Sequence, residues 1–312
     1  MAEPIAVRTP PIAPGVRVVT AAGVCLLAYS YLVGLWPNRH GFTPAFVEVV
    51  RSWVNKPSGL GEDFGFLGTA LLLMAAGYGL AGGRRVVAAH LPVLAGAVAV
   101  GAALWAVGAE PLLDSAVTAP VLALVLVAAL VPALRPLERR EPGLASFVLL
   151  EAGCLVALLC GWLADGGPEV LRLVGTAATL VPLLVFGRLA ALFRAGRLPA
   201  AHGVGLGLLC LVLTVLGDLL FPEQVGYWRP LGATVAALLF VIALPRGVAA
   251  AGWTAVRRLA DRALPLAVAV PVVGYPVLGL LDFLPFGVAL AVAVAAVGLA
   301  GEGAHRAVGG SA

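Results

Sequence analysis

Charge is what this sequence has least of. Only 12% of its 312 residues are Asp, Glu, Lys or Arg, against 61% hydrophobic, and its mean hydropathy is +1.04. A soluble domain carries about a quarter charged residues. A chain this poor in charge cannot coat a globule of its size with solvated side chains. That excludes a water-soluble domain and leaves lipid to cover most of the surface.

Cysteine is scarce as well. Cys25, Cys154, Cys160 and Cys210 all fall inside apolar stretches, and none belongs to a CxxC pair. Neither a disulfide framework nor a metal site is indicated, and each reads as a small apolar packing residue. There is no low-complexity region, and no stretch outside the apolar runs is long enough to build a soluble core. Residues 1–312 therefore read as a single transmembrane domain. The two halves show no internal repeat, which counts against a transporter built from inverted repeats. After "VRTPPIAPGVR" the first run lacks a small-residue cleavage pattern and reads as a retained span.

What is present is length. A helix needs roughly 20 residues to cross a hydrocarbon core of about 30 Å. Ten apolar runs qualify, near 15–36, 62–82, 86–108, 115–134, 144–164, 168–192, 200–220, 229–248, 263–282 and 284–302. They do not alternate polar with apolar, as barrel strands of about ten residues would. The expected fold is all-α, a polytopic integral membrane protein of ten transmembrane helices, the last two joined by little more than "LDFLPFG".

The cations alternate from junction to junction. The amino-terminal tail holds Arg8 and Arg17; Arg84 and Arg85 follow run two; Arg135, Arg139 and Arg140 follow run four. Arg188, Arg194 and Arg197 mark the end of run six, Arg246, Arg257, Arg258 and Arg262 follow run eight, and Arg306 lies in the tail. The other junctions hold only Arg39, Arg51, Lys56, Arg172 and Arg229, together with Glu62, Asp63, Glu110, Asp114, Asp165, Glu169, Asp218, Glu223 and Asp282. Basic residues stay cytoplasmic during insertion, so both termini are expected inside. The net charge of +4 and the pI near 9.1 then describe an arginine-rich inner face. That face meets the lipid bilayer and its anionic headgroups, and no nucleic acid is called for.

The longest outer connection runs from Pro37 to Gly61. Within "TPAFVEVVRSWVNKP", Thr43 reads as an N-cap and Pro44 as the first helical residue. Phe46, Val49, Val50 and Trp53 share one side, with Glu48, Arg51 and Ser52 opposite. This describes a helix lying on the outer membrane surface, or else a packed re-entrant loop.

Ionisable residues at membrane depth are costly and often functional. Glu151 lies about seven residues into the fifth run, roughly 10 Å deep at 1.5 Å per residue. His90 lies a turn into the third run, Arg17 opens the first, His202 opens the seventh, and Arg188 stands a turn before the end of the sixth. All belong to the inner half. They are expected to line a polar cavity open to the cytoplasm and rimmed by Arg84, Arg85 and Arg188, suited to a phosphate-bearing donor. For Glu151 a structural hydrogen bond to a neighbouring helix is the competing reading. His40 and His305 read as exposed, and Asp218 and Asp282 as solvated span ends.

"FLGTALLLMAAGY" (Phe66 to Tyr78) resembles the second-span signature of the integral membrane acyltransferases of the acyltransferase family 3 type. Gly68, Gly77 and Tyr78 match it; Leu72 and Leu73 stand at its aromatic pair and Ala76 at its serine. "GRRVVAAHLP" is similar to the arginine-rich stretch that follows. "VPLLVFGRLAALFRAGR" resembles the later span with its basic exit, and "ADRALPLAVAVPVVGYPVLGLL" the last-but-one span. The resemblance implies a bacterial inner-membrane enzyme that moves an acyl group, commonly acetyl, from acyl-coenzyme A to a sugar or other envelope acceptor, with no tightly bound cofactor.

Two family histidines are absent. Eleven residues after Arg17 stands Ala28, and "LAVAVPVV" lacks the late Tyr-Leu-x-His element. Either His90 acts as base with Glu151 as its orienting partner and Arg17, Arg84, Arg85 and Arg188 bind the donor, or the chain is an inactive relative. The rival readings are a ten-helix small-solute or metabolite transporter and a non-catalytic membrane scaffold.

Overall fold

The computed structural model describes residues 13–58, 60, 62–81, 115–163, 168–220, 228–246 and 249–309. Among these residues every regular element is helical. Seven helices among the described residues are long and apolar enough to cross a membrane, and Phe66–Ala81 and Arg229–Ala243 are shorter apolar helices. The run expected at 86–108 lies outside the described residues.

We number the helices in chain order. Helix α1 is Pro14–Arg39, opened by a proline whose missing N–H costs nothing at a first helical turn. The outer connection carries α2, over 45–58, and α3 is Gly65–Ala81. Then follow α4, Ser115–Arg140, and α5, Pro142–Leu163. Next are α6, Glu169–Arg194, and α7, Ala200–Leu220. The remainder is α8, Trp228–Ala243; the short α9, Thr254–Asp261; α10, Ala263–Leu280; and α11, Phe286–Gly309.

Helix α3 sits at the centre, packed against α1, α6 and α8. Its approach to α6 depends on two glycines. A Cβ on Gly77 would collide with the Leu184 carbonyl, and one on Gly187 with the Met74 carbonyl. Against α1 the same device recurs: a Cβ on Gly68 would lie 2.8 Å from the Leu27 nitrogen, and one on Gly23 3.2 Å from the Gly68 oxygen. In lipid, where apolar contact gives no driving force between helices, close backbone approach through small residues supplies the van der Waals attraction. Leu71, Met74, Leu183, Leu184 and Phe240 fill the core around these crossings. A second core joins Leu32 and Trp36 of α1 to Val270 and Leu278 of α10 and Ala289 of α11.

The outward faces are apolar. Leu208, Val212 and Leu219 of α7, Leu155 and Leu159 of α5 and Val292 and Leu299 of α11 are all exposed. Exposure of large apolar side chains on this scale marks a surface that meets hydrocarbon.

The helices have two common ends. At one, Gly15 at the start of α1 abuts Ala243 at the end of α8, and Arg194 of α6 donates to the Leu244 carbonyl. There too Arg262, opening α10, pairs with Glu302 near the end of α11. At the other, Gly34 abuts Asp63, and the Trp36 and Phe286 rings stack with centroids 6.0 Å apart.

Two local features depart from the sequence reading. Helix α2 begins at Ala45 with Pro44 as its cap, one residue later than expected. Its apolar side, Phe46, Val49 and Trp53, is exposed, whereas Val47 and Arg51 face the protein. Arg51 therefore turns inward, because Asp63 offers it a carboxylate at 2.6 Å. Helix α6 is broken at Thr179 and Leu180. Pro182 has no N–H for the Ala178 carbonyl and its ring crowds that turn. The Thr179 hydroxyl caps the break by donating to the Thr176 carbonyl at 2.7 Å.

Candidate functional site

Among the described residues two arginines are fully buried, Arg188 at 1% and Arg229 at 0% exposure. A guanidinium inside an apolar bundle has lost its hydration, so what faces it in exchange decides its role.

Arg188 follows Gly187, whose crossing fixes this part of α6 against Met74 of α3. Its Nη2 lies 2.6 Å from Oε2 of Glu138, which α4 delivers from its last turn. The other carboxylate oxygen of Glu138 is 3.7 Å from Nη1 of Arg197, whose Nη2 also donates to the Glu138 backbone carbonyl at 2.9 Å. Arg197 is 42% exposed, so solvent screening holds its share to about 1 kcal/mol or less. The buried Arg188–Glu138 pair dominates the pairing. One carboxylate thus serves two guanidinium groups, leaving one unit of positive charge in excess. Nε and Nη1 of Arg188 are buried without a hydrogen-bond partner among the described residues. Arg194 lies close enough to Tyr78 to act on it electrostatically. This arrangement can receive an oxyanion: it supplies charge, unused donors and an exposed arginine at its rim.

Of the residues singled out from sequence, Arg188 and Arg17 lie at this same end. Arg17 is half-buried in the first turn of α1, its Nε out of solvent and without a partner among the described residues. Arg84, Arg85 and His90 lie outside the described residues. Glu151 is exposed on the stripe of α5 that also carries Leu155, Leu158 and Trp162, and it takes no ion-pair partner among the described residues. The structure does not place it in the Arg188 cluster. His202 is exposed in the first turn of α7. His40 is exposed but stacked on Trp36 at 4.0 Å.

At the opposite end Arg229 donates from Nη2 to Oγ1 of Thr179 at 2.6 Å, and its guanidinium carbon lies 5.6 Å from the centroid of the Phe66 ring. Asp218 stands next to it on α7. The expectation that Asp218 is a solvated end fails for one oxygen, since Oδ1 is buried and unpartnered among the described residues. Gly217 packs on Thr179, which draws that turn of α7 inward. On the same end Asp63 is held by Arg51 through two bonds, Nε to Oδ1 at 3.0 Å and Nη2 to Oδ2 at 2.6 Å. Among the described residues no three His, Cys, Asp or Glu side chains gather as metal ligands.

Glu138 and Arg229 were not identified from sequence. The signal for Glu138 is an acid inside an otherwise arginine-rich junction, and for Arg229 an arginine on the acid-rich side. No protein-family model matches this chain, and neither does any curated protein or solved structure.

Proposed function

We propose that the protein is a ten-span inner-membrane protein of the acyltransferase type, with both termini in the cytoplasm and a donor site at the arginine-rich end. The observation that carries this reading is the buried Arg188, whose counter-charge Glu138 is shared with Arg197 and which keeps unused N–H groups. That excess positive charge suits the phosphates of acyl-coenzyme A. In this reading Arg17, Arg84, Arg85 and Arg188 bind the donor, and His90 takes the proton of an acceptor hydroxyl on a sugar or lipid. Orientation of His90 by Glu151 requires the segment around His90 to reach the exposed stripe of α5.

The test is reconstitution of the purified protein with acetyl-coenzyme A, following release of free coenzyme A thiol with and without carbohydrate acceptors. Turnover that falls in Arg188→Met through KM, and in His90→Ala through kcat, is the expected result. No thiol release above the rate in empty vesicles would defeat the reading. The orientation is tested separately with an impermeant maleimide on intact cells. Ser52→Cys should label and Arg306→Cys should not, the native cysteines all lying within apolar helices.

A transporter is the second reading, and the interruption of α6 at Thr179 favours it, because broken spans place backbone termini at substrate sites. Counterflow of a labelled solute in the same vesicles, without chemical change, would select it.

A further inference from the structure

The end of the bundle away from Arg188 holds a second polar arrangement that the donor site does not use. Arg229 is 0% exposed, and Nε and Nη1 have no partner among the described residues. Its remaining contacts fix the group without satisfying it: Nη2 is bound to Thr179, and the Phe66 ring lies 5.6 Å from the guanidinium carbon. The Thr179 hydroxyl accepts from Arg229 and spends its one proton on the Thr176 carbonyl, so it has no donor left for the Asp218 side. Beyond that hydroxyl starts the second half of α6, Val181–Arg194, whose N-terminal dipole end points the same way.

Asp218 completes the arrangement from α7. It and Arg229 act on each other electrostatically but do not meet within 4.0 Å. Its Oδ1 is buried and needs a donor; Arg229 needs acceptors. A gap wider than an ion pair, with a pure acceptor on one side and pure donors on the other, fits an oxygen that both donates and accepts. An oxyanion would be repelled by Asp218 and a cation by Arg229, so a neutral group is selected. Because Arg229 is wholly covered and Asp218 only half so, the group enters past Asp218 and must be small.

We propose that Asp218 and Arg229 form a subsite for a neutral hydroxyl group of a polyol, donating to the carboxylate and accepting from the guanidinium. The hydroxyl is carried by a soluble sugar or by a sugar headgroup in the membrane. The subsite goes beyond the donor site at the other end of the bundle and is read without any acyl donor. Failure of acyl transfer therefore leaves it standing.

The experiment uses the full-length protein in detergent and follows its thermal midpoint. One arm titrates methyl glucoside, methyl mannoside and methyl galactoside, with the permethylated glucoside as a probe that accepts but cannot donate. A second arm adds monoglucosyl diacylglycerol to the micelles, against diacylglycerol alone. The expected result is a saturable rise of 2 °C or more, absent with the permethylated or sugar-free partner. It should be weakened at least tenfold in apparent affinity by Asp218→Asn and by Arg229→Lys. A response in the first arm assigns a soluble sugar, and a response confined to the second a membrane-borne one. No rise in either arm reduces the gap to a water site and overturns the proposal. So does an equal rise with the permethylated probe, a comparison made on the unaltered protein and independent of whether a variant folds.

Discussion

Arg229 donates to Thr179 across 50 positions of sequence, and Arg194 donates to Leu244 across the same separation. Equal offsets at both places mean that α6 and α8 run parallel and in register. The two bonds stand 15 residues apart on each helix, about 22 Å at 1.5 Å per residue. Arginine thus ties the two spans together near both ends, while apolar packing on α3 fills the length between.

The Thr179 bond is the more buried of the two and should carry the larger share. Replacing Thr179 by valine keeps the shape but removes the acceptor, leaving a buried guanidinium with no described hydrogen bond. A hydrogen bond to a charged group contributes about 1.5–3 kcal/mol, so Thr179→Val should lower the thermal midpoint clearly while Thr179→Ser stays near the parent. Coincident melting of the valine variant with the parent would remove Thr179 from this role.

The glycine crossing predicts a steric result. Gly77→Ala and Gly187→Ala each place a methyl group on a neighbouring carbonyl oxygen, where overpacking costs about 1–3 kcal/mol or more. Gly79→Ala, on the same helix with nothing within 4 Å of its added Cβ, is the control. Yield of monodisperse protein on size-exclusion chromatography should fall for the first two and hold for the third.

The Arg188–Glu138 pair should show the asymmetry of buried charge. Glu138→Gln strands Arg188 without its counter-charge, and breaking one side of such a pair costs about 3–5 kcal/mol. Removing both groups, as Glu138→Leu with Arg188→Met, should restore most of the lost midpoint, because an apolar pair needs no hydration. Thermal melts of the two single variants and the double variant make the comparison. A double variant no better than the worse single one would mean that the pair is not the unit of stability.

Arg51 and Asp63 fasten the outer helix α2 to the start of α3. Asp63 stands at φ 61° and Phe64 at φ 58°, a left-handed turn that side chains other than glycine adopt only when held. The bidentate pair is the holding contact, so Arg51→Leu should free the connection. Limited proteolysis between residues 40 and 62 should speed up several-fold, with little change in the core melt. Unchanged cleavage would show that packing alone holds α2.

The parts legible in the sequence are those that depend on length and average polarity. The run expected at 144–164 is Pro142–Leu163 and that at 200–220 is Ala200–Leu220, because roughly 20 apolar residues have one solution in hydrocarbon. Features decided by single contacts were not legible. The helix over 45–58 was, but the side it turns inward was not. Periodicity assigns Arg51 to solvent, and only the distant Asp63 draws it in. Wide turns at Tyr29–Leu35 and Val270–Gly274 leave no mark in an apolar pattern, although Pro271 supplies a reason for the second. Arg188 was recognisable as an arginine inside a span. Its partner Glu138 was not, since an acid among arginines in a junction normally remains in water. The buried Oδ1 of Asp218 depends on Gly217 lying against Thr179, a contact made by topology alone.

Where Gly77 and Gly187 let two main chains touch, neither helix has room to slide or roll against the other. Any swing of α3 against α6 must therefore turn about that point as scissor blades turn about a rivet. Arg188 directly follows Gly187 and sits almost on the rivet, where such a swing carries it least, whereas Arg229, held between Thr179 of α6 and Phe66 of α3, stands well out along the blades.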